Sequence, residues 1–257
     1  GSCDETSEIA KLAGAQVIRH ECNMGKGIAL NTGINKAKEL DADVLVLLDG
    51  DYQHNPDEIP SLITPIVNGE ADIVIGSRFL DKDCEIPRYR KFGEFVLTRF
   101  SNVGSKVKIT DSQCGFRALS KKAIEKLDFN SKGFSVESEM QFLAPELGLR
   151  IKEVPVTVNY KDKNKRSPIS HGLTVLSHII SLISEKRPLF FFGISGIVII
   201  LLGIFIGLSV VEATKITGDL PVGTALISTL LCIIGTITLF IGIVLNSLKN
   251  MIMRARK

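Results

Sequence analysis

The distribution of apolar residues divides this chain of 257 residues into a mixed front part and an apolar end. No charged residue occurs in 188–211 or in 221–248, which are runs of 24 and 28 residues. Because about 20 apolar residues cross the hydrocarbon core of a bilayer, each run predicts a transmembrane helix. Core helices of a soluble protein are the alternative, but helices of that length usually keep a polar stripe, which both runs lack.

Two shorter apolar runs in the front part have the length of strands. They occupy 43–48 and 71–76, and each is continuous, as in parallel strands that are buried on both faces. Between them, residues 56–67 carry apolar side chains at helical spacing. A strand, a helix and a strand at these intervals indicate a βαβ unit, so the pattern predicts a doubly wound α/β domain.

Weaker patterns predict the other elements. Strands are expected at 15–20 and at 150–158, the second at a sheet edge because it contains Pro155. The remaining expected elements are a short one at 114–119 and helices at 31–40, 91–103, 121–127 and 135–147.

Residues 169–183 form an amphipathic pattern directly before the apolar runs. Its apolar face comprises Ile169, Leu173, Leu176, Ile180 and Ile183. This position predicts a helix that lies in the headgroup layer of a membrane. A helix packed on the front domain is the alternative.

Charge is distributed unevenly along the chain. The net charge of +3 comes from the apolar end, which leaves 26 basic and 26 acidic residues in 1–187. Without a concentrated basic face, the front part is not expected to bind nucleic acid. Basic residues flank the outer ends of the two apolar runs, at 186–187 and 254–257. The positive-inside rule therefore predicts a two-span cell-membrane protein whose front domain and both termini are cytoplasmic.

Five scattered cysteines show neither a disulfide framework nor the spacing of a zinc site. Two carboxylates offer different chemistry, because Asp49 and Asp51 follow directly after a predicted strand. Such oxygens suit Mg²⁺, which binds one or two carboxylates and keeps phosphates and water as further ligands. A polar turn that merely ends the strand is the alternative.

Six short motifs occur in one order between residue 1 and about residue 160. They are Gly1-Ser2-Cys3-Asp4-Glu5-Thr6, Asn23-Met24-Gly25-Lys26-Gly27, Asp49-Gly50-Asp51-Tyr52-Gln53-His54, Gly76-Ser77-Arg78-Phe79, Tyr89-Arg90-Lys91 and Asp111-Ser112-Gln113-Cys114-Gly115-Phe116-Arg117. In this order they resemble the motifs of family 2 glycosyltransferases, in particular the dolichol-phosphate mannose and glucose synthases.

The resemblance implies an α/β domain of the GT-A fold that binds Mg²⁺ or Mn²⁺. It implies inverting transfer of a sugar from a UDP- or GDP-linked donor to a polyprenyl phosphate. Asp51 and Gln53 would ligate the metal, and Asp49 would hold the donor or the metal. Arg78 and Arg90 would bind the acceptor phosphate.

Further residues are assigned with alternatives. Asp111 either orients one of the arginines or starts a turn. Asn23, Lys26, Arg117 and Arg166 are candidate substrate ligands. Arg78 and Arg117 each also suit a structural ion pair with a carboxylate, and Lys26 also suits a solvated loop. Arg166 matches a basic loop of the family only loosely, since Pro168 follows and the glycine of that loop is absent.

The resulting organisation has three parts. Residues 1–160 are the expected GT-A domain, 161–187 a basic loop with the interfacial helix, and 188–257 a two-helix membrane anchor. Because the resemblance starts inside a motif, we expect the first strands of the family fold to be missing from this chain. A homo-oligomer is left open.

Two other functions fit the same elements. A processive polysaccharide synthase is the first, but it usually needs more membrane helices and an acceptor motif with tryptophan, a residue that this chain lacks. A non-catalytic membrane scaffold is the second, and it would have no need of Asp49, Asp51, Gln53, Arg78 and Arg90 together.

Overall fold

The computed structural model describes residues 1–80, 88–105, 107–129, 136–159 and 168–255. It divides into two compact units, Gly1–Ile179 and Ile180–Lys257. The strands are β1 (Val44–Leu47), β2 (Ile73–Ser77), β3 (Arg117–Ser120) and β4 (Ile151–Pro155). The helices are α1 (Thr6–Leu12), α2 (Lys26–Glu39), α3 (Ile59–Val67), α4 (Arg88–Gly104), α5 (Lys121–Lys126), α6 (Val136–Glu146), α7 (Pro168–Lys186), α8 (Pro188–Thr217) and α9 (Val222–Ala255).

The first unit contains a mixed four-stranded sheet of order β1-β3-β2-β4. Strand β3 is antiparallel to both of its neighbours, while β2 and β4 are parallel. The α/β class is confirmed, but the prediction of a parallel, doubly wound sheet is wrong. The reason is that β3, from the short 114–119 element, lies between the two strands of the expected βαβ unit.

Position in the sheet explains the burial of the strands. All residues of β2 are buried, as its continuous apolar run predicted. Strand β1 lies at an edge of the described sheet and is only half-buried, so its predicted burial on both faces is wrong. Strand β4 is the other edge, which agrees with the expectation from Pro155.

The predicted strand at 15–20 is also wrong. The structure gives these residues no regular element, and no described strand pairs with them. A strand exists only where a neighbour accepts and donates its backbone hydrogen bonds, and weak alternation does not supply one. The predicted helices are present with shifted ends, and the largest shift is in α2, which begins at Lys26 rather than at residue 31.

The core of the first unit is apolar and continuous across the sheet. Its fully buried side chains include Leu62, Ile73, Ile75, Phe116, Leu119 and Met140. Because these come from α3, from β2, from β3 and the residue before it, and from α6, the core fixes the sheet against the helices that pack on it. The loops that follow the strands are therefore held on a rigid frame.

Helix α4 has the reverse of the usual amphipathic pattern. Its buried positions are Thr98, Ser101 and Gly104, whereas Phe92 and Phe95 are 71% and 63% exposed. The buried hydroxyls are satisfied within the protein, for example by the hydrogen bond between Thr98 and Ser112. An exposed aromatic face on a helix is typical of a surface that contacts another protein or a membrane.

The second unit contains α8 and α9, which are long and apolar enough to cross a membrane by length and composition. They pack closely at glycines: a Cβ on Gly196 would lie 2.7 Å from the backbone nitrogen of Leu239. A side chain on Gly235 would likewise meet the carbonyl oxygen of Gly196 at 2.8 Å. Small residues at the contact are the usual means by which membrane helices approach each other.

The amphipathic pattern of α7 is rotated from its prediction. Val175, Ile179 and Ile183 are the buried positions, whereas the predicted apolar positions Leu176 and Ile180 are partly exposed. The side chains of Ile169 and Leu173 lie outside the described residues. The helix is present as predicted, and its location in the headgroup layer stays a prediction.

Candidate active site

The predicted site residues follow two strands whose carboxyl ends lie at one edge of the sheet. Both β1 and β2 are antiparallel to β3, so they run in the same direction. Asp49 comes two residues after β1, and Arg78 comes directly after β2. Ligands of open α/β sheets bind outside the carboxyl ends of such strands, which makes this edge the candidate active site.

Lys26 joins two acidic side chains at this edge. Its Nζ lies 2.8 Å from Oδ1 and 2.9 Å from Oδ2 of Asp49, and 2.7 Å from Oε1 of Glu137. Burial lowers the pKa of Lys26, but the carboxylates of Glu137 and Asp49 outweigh burial and raise this pKa above its usual value. The ammonium is therefore charged at any physiological pH.

Two glycines allow this ion pair to form. Gly25, which caps α2, has a φ of 91°, a conformation that glycine adopts without strain. Lys26 can therefore stand at the first position of the helix. Gly115 lies so close to the pair that a Cβ there would be 2.5 Å from Oδ2 of Asp49 and 3.1 Å from Nζ of Lys26.

A small cavity lies beside the ion pair. Its volume is about 30 Å³, which is enough for about one or two water molecules. Its lining includes the polar side chains of Lys26, Asp49 and Glu137 and apolar side chains such as those of Leu30, Leu47 and Met140.

The loop with Asp51 and Gln53 is anchored by the segment that follows β4. Oδ1 of Asp51 accepts a hydrogen bond from the backbone N–H of Gln53, and the carbonyl of Gln53 accepts one from Asn159. Between them, Tyr52 has a φ of 58° and is 94% exposed. A non-glycine residue in this region indicates a strained turn, and such turns concentrate at functional sites.

The oxygen atoms of this loop are suitable ligands for a hard divalent cation. Asp49 and Asp51 supply carboxylate oxygens and Gln53 an amide oxygen, which are ligands that Mg²⁺ and Mn²⁺ accept. Within the described part of the chain, no three His, Cys, Asp or Glu side chains form a metal cluster. A cation held by two carboxylates and an amide would therefore depend on substrate phosphates and water for its other ligands.

Arg78 is held in a two-point contact by Asp111. Its Nε lies 2.6 Å from Oδ2 and its Nη2 2.7 Å from Oδ1, and its backbone N–H also donates to Oδ2. Nη2 lies 3.3 Å from Oε2 of Glu94 on α4 as well. Asp111 is fully buried and its backbone N–H donates to Glu153 of β4, so the guanidinium is rigidly placed. Of the two roles left open for Asp111, the structure supports the orientation of an arginine.

The side chain of His54 is affected by charges from both the acidic loop after β1 and the Arg78–Asp111 pair. Burial lowers the pKa of His54, and the charges of Asp49, Asp51, Arg78 and Asp111 also act on this pKa. The ring packs against Phe116 at 5.1 Å between centroids. Charges from both strand ends act on this partly buried ring, which agrees with the position of the two strand ends at one edge of the sheet.

Arg117 lies beneath the site rather than on its surface. Its guanidinium is buried and donates to the carbonyl oxygens of Cys114, Glu137 and Ser112 at 2.8 to 2.9 Å. These contacts pin the loop before β3 to the start of α6. They give no support to the prediction that Arg117 binds substrate. They indicate a structural role, but through backbone carbonyl oxygens rather than through the expected ion pair with a carboxylate.

The remaining candidate site residues are Asn23, Arg90 and Arg166. Asn23 is exposed, and its Oδ1 accepts a hydrogen bond from the backbone of Gly25. Arg90 lies in α4, but its side chain is outside the described residues, as is Arg166 entirely. The roles of Asn23, Arg90 and Arg166 therefore stay predictions.

Glu137, Glu94 and Gly115 belong to the site but were not predicted as site residues. Glu137 lies in the first turn of α6, where the helix dipole favours a negative charge. Its position in the sequence therefore gave no indication of a functional role. Its partner Lys26 is distant in sequence, and no local pattern connects them. Gly115 lies within the motif of residues 111–117. Its place in that motif was the one sequence signal that could have identified it as a site residue.

Comparison with known proteins gives the class. The chain belongs to the family 2 glycosyltransferases: the family described as "Glycosyl transferase family 2" matches residues 1–128. This confirms the family predicted from the motifs.

Several relatives show how far the likeness extends. An uncharacterized protein of Methanocaldococcus jannaschii is 36% identical over 72% of this chain and 78% of its own length. The UDP-N-acetylglucosamine–dolichyl-phosphate N-acetylglucosaminyltransferase of Methanococcus voltae is 38% identical over 56% of this chain and 59% of its own length. The dolichol-phosphate mannosyltransferase of Pyrococcus furiosus is 33% identical over 63% of this chain and 46% of its own length. The chain thus spans only about half of the last two relatives.

Proposed function

We propose that this protein transfers a sugar from a nucleotide-diphosphate donor to a polyprenyl phosphate at a membrane surface. The observation that carries the proposal is the placement, at one sheet edge, of an acidic loop after β1 and of a guanidinium after β2 that Asp111 holds in place. Two relatives are named as transferases to dolichyl phosphate, and a third, from Micrococcus luteus, as an undecaprenyl-phosphate mannosyltransferase.

The chemistry requires little acid or base catalysis. A lipid phosphate is ionised near neutral pH, so one of its oxygens can attack the anomeric carbon directly. The new bond forms as the bond from that carbon to the nucleoside diphosphate breaks, and the electron pair leaves on the diphosphate. Attack opposite to the leaving group inverts the anomeric configuration.

Two anions must meet in this reaction, and the protein offsets their repulsion. In this proposal Arg78 offers the acceptor phosphate its positive charge and the side of the guanidinium that faces away from Asp111. Asp111 keeps the guanidinium in one orientation, which lowers the entropy lost when the phosphate binds. Arg90, at the start of α4, would be a second acceptor ligand.

The acidic loop would hold Mg²⁺ or Mn²⁺ through Asp51 and Gln53, with Asp49 on the metal or the donor. A bound cation supplies positive charge to the departing diphosphate. Lys26 and Asn23 are the candidate donor ligands on the neighbouring loop.

The apolar surfaces support a membrane acceptor. Helices α8 and α9 are the candidate spans, and α4 carries exposed Phe92 and Phe95 together with exposed Lys91 and Arg99. Aromatic and basic residues on one helix are typical of helices that lie at a lipid surface. We place α4 at the headgroup layer, with the first unit on the cytoplasmic side.

The proposal is tested by incubating the detergent-solubilised protein with a short polyprenyl phosphate, Mn²⁺ and a panel of UDP- and GDP-sugars. Mass spectrometry should detect a glycosylated lipid phosphate with one or a few donors. Free sugar without any glycolipid, for every donor in the panel, would contradict the proposed acceptor.

A further inference from the structure

The ion pair at the centre of the site uses a residue that the proposed chemistry also needs. Both carboxylate oxygens of Asp49 lie within 2.9 Å of Nζ of Lys26. A carboxylate engaged in this way has less negative potential to offer a divalent cation, and the ammonium itself repels that cation. Lys26 and a metal ion therefore compete for Asp49.

Lys26 has a second partner that stays in place. Oε1 of Glu137 is 2.7 Å from Nζ, and the side chain of Glu137 is only 7% exposed, compared with 39% for Asp49. The backbone carbonyl of Glu137 is fixed by Arg117. Glu137 is thus rigid and shielded, whereas Asp49 faces the more open side of the site.

The side chain of Lys26 is suited to exchange one partner for another. A lysine carries a point charge on a flexible stem, and it needs no fixed two-point geometry. The cavity beside the pair gives the ammonium room to shift. The elements around it, α2 and the start of α6, do not need to move.

Resting on the proposed function, we propose that Lys26 is an exchangeable counter-cation that neutralises Asp49 in the donor-free protein. When a metal ion and a nucleoside diphosphate enter, Lys26 releases Asp49 and binds the diphosphate, while Glu137 keeps hold of the ammonium. Glu137 is then a positioning residue for Lys26. The exchange keeps a carboxylate paired at every stage and makes metal binding depend on the diphosphate that arrives with it.

Substitution of Lys26 tests this directly, since the proposal predicts opposite effects on two ligands. In Lys26→Met, Mn²⁺ alone should bind about tenfold more tightly, because a competing positive charge beside Asp49 is gone. UDP or GDP in the presence of Mn²⁺ should bind about tenfold more weakly, because the diphosphate loses a cation. Electron paramagnetic resonance measures the free Mn²⁺, and titration calorimetry measures the nucleotide.

Glu137→Gln should change Mn²⁺ binding in the other direction. In this variant Lys26 has lost the carboxylate of Glu137 and should interact more strongly with Asp49. Mn²⁺ should therefore bind more weakly than to the unmodified protein. Lys26→Arg should keep nucleotide binding closer to that of the unmodified protein than Lys26→Met does. The matched control is Glu125→Gln, at an exposed glutamate on α5, which should leave the binding of both Mn²⁺ and nucleotide unchanged.

The outcomes separate this proposal from the proposed function. Weaker binding of both ligands by Lys26→Met indicates structural damage and overturns the exchange, as does unchanged Mn²⁺ affinity. An unmodified protein that binds no Mn²⁺ overturns it as well. If the opposite effects appear but no polyprenyl phosphate is glycosylated, the exchange stands and the proposed acceptor is wrong.

Discussion

Arg78 and Asp111 form a two-point ion pair in which the carboxylate is fully buried and the guanidinium side chain is 10% exposed. The pair joins the end of β2 to the loop before β3, and Glu153 of β4 fixes that loop. An arginine held by a buried carboxylate has one orientation, which suits the recognition of a phosphate group in a fixed position.

Asp111→Asn should weaken acceptor use and lower stability. Removing the charge of Asp111 leaves Glu94 as the described carboxylate beside the largely buried guanidinium, and the loss costs about 3 kcal/mol of unfolding free energy, the low end for a broken buried pair. The KM for the lipid acceptor should rise more than the KM for the nucleotide sugar, because Arg78 loses its fixed orientation. Steady-state kinetics with each substrate varied would reveal this, and an equal rise in both KM values would argue against a specific acceptor role.

Gly115→Ala should disturb the Lys26–Asp49 pair. The added methyl group would lie 2.5 Å from Oδ2 of Asp49, so the carboxylate must move. We expect nucleotide binding in the presence of Mn²⁺ to weaken by about tenfold or more, as one electrostatic contact is displaced. Calorimetry gives the affinity.

The matched control is Gly33→Ala, on the exposed side of α2, where a Cβ would meet nothing within 4 Å. Alanine favours a helix over glycine by about 1 kcal/mol, so this variant should be slightly more stable and bind nucleotide normally. Normal binding by Gly115→Ala as well would show that the position of the Asp49 carboxylate is unimportant.

Arg117→Leu should act on stability. Three carbonyl oxygens lose their buried donor, which costs at least about 2–4 kcal/mol. Thermal unfolding of the solubilised protein, with Tm as the readout, measures the loss. A normal Tm combined with weaker nucleotide binding would instead restore the original prediction that Arg117 is a substrate ligand.

Replacing Phe92 and Phe95 by serine should separate the membrane acceptor from the soluble donor. In lipid nanodiscs, transfer to a long polyprenyl phosphate should fall by about tenfold, because α4 loses its apolar contact with lipid. Nucleotide binding should not change. Leu12→Ser serves as the control, since Leu12 is an apolar residue on α1 that is 89% exposed. An equal loss of transfer in that variant would remove the special role of α4.

Local sequence patterns predicted most of the elements, with the exceptions of α1 and the absent strand at 15–20, but not their arrangement. The runs that became β1 and β2 were recognised because continuous apolar segments of that length suit buried strands. The insertion of β3 between them depends on backbone pairing between Val44 and Ser120, residues far apart in sequence. Periodicity carries no information about such long-range partners.

The site shows the same division. The carboxylates Asp49 and Asp51 and the arginine Arg78 follow predicted strands, so the direction of the strands was enough to bring them to one edge. The link from Lys26 to Glu137 arises from the packing of two helix starts, which no motif encodes. In α4, the hydroxyls are buried because Thr98 and Ser101 find buried partners, Ser112 and Ser138, that the sequence does not identify.

The mass of the lipid product tests the central claim most directly. With a nucleotide-sugar donor, Mn²⁺ and a polyprenyl phosphate, the protein should form a lipid that carries the sugar and one phosphorus atom, the one already present in the acceptor. Asp51→Asn should form much less of it. A product with two phosphorus atoms, which would mean transfer of a sugar phosphate, or undiminished product from Asp51→Asn, would contradict the account.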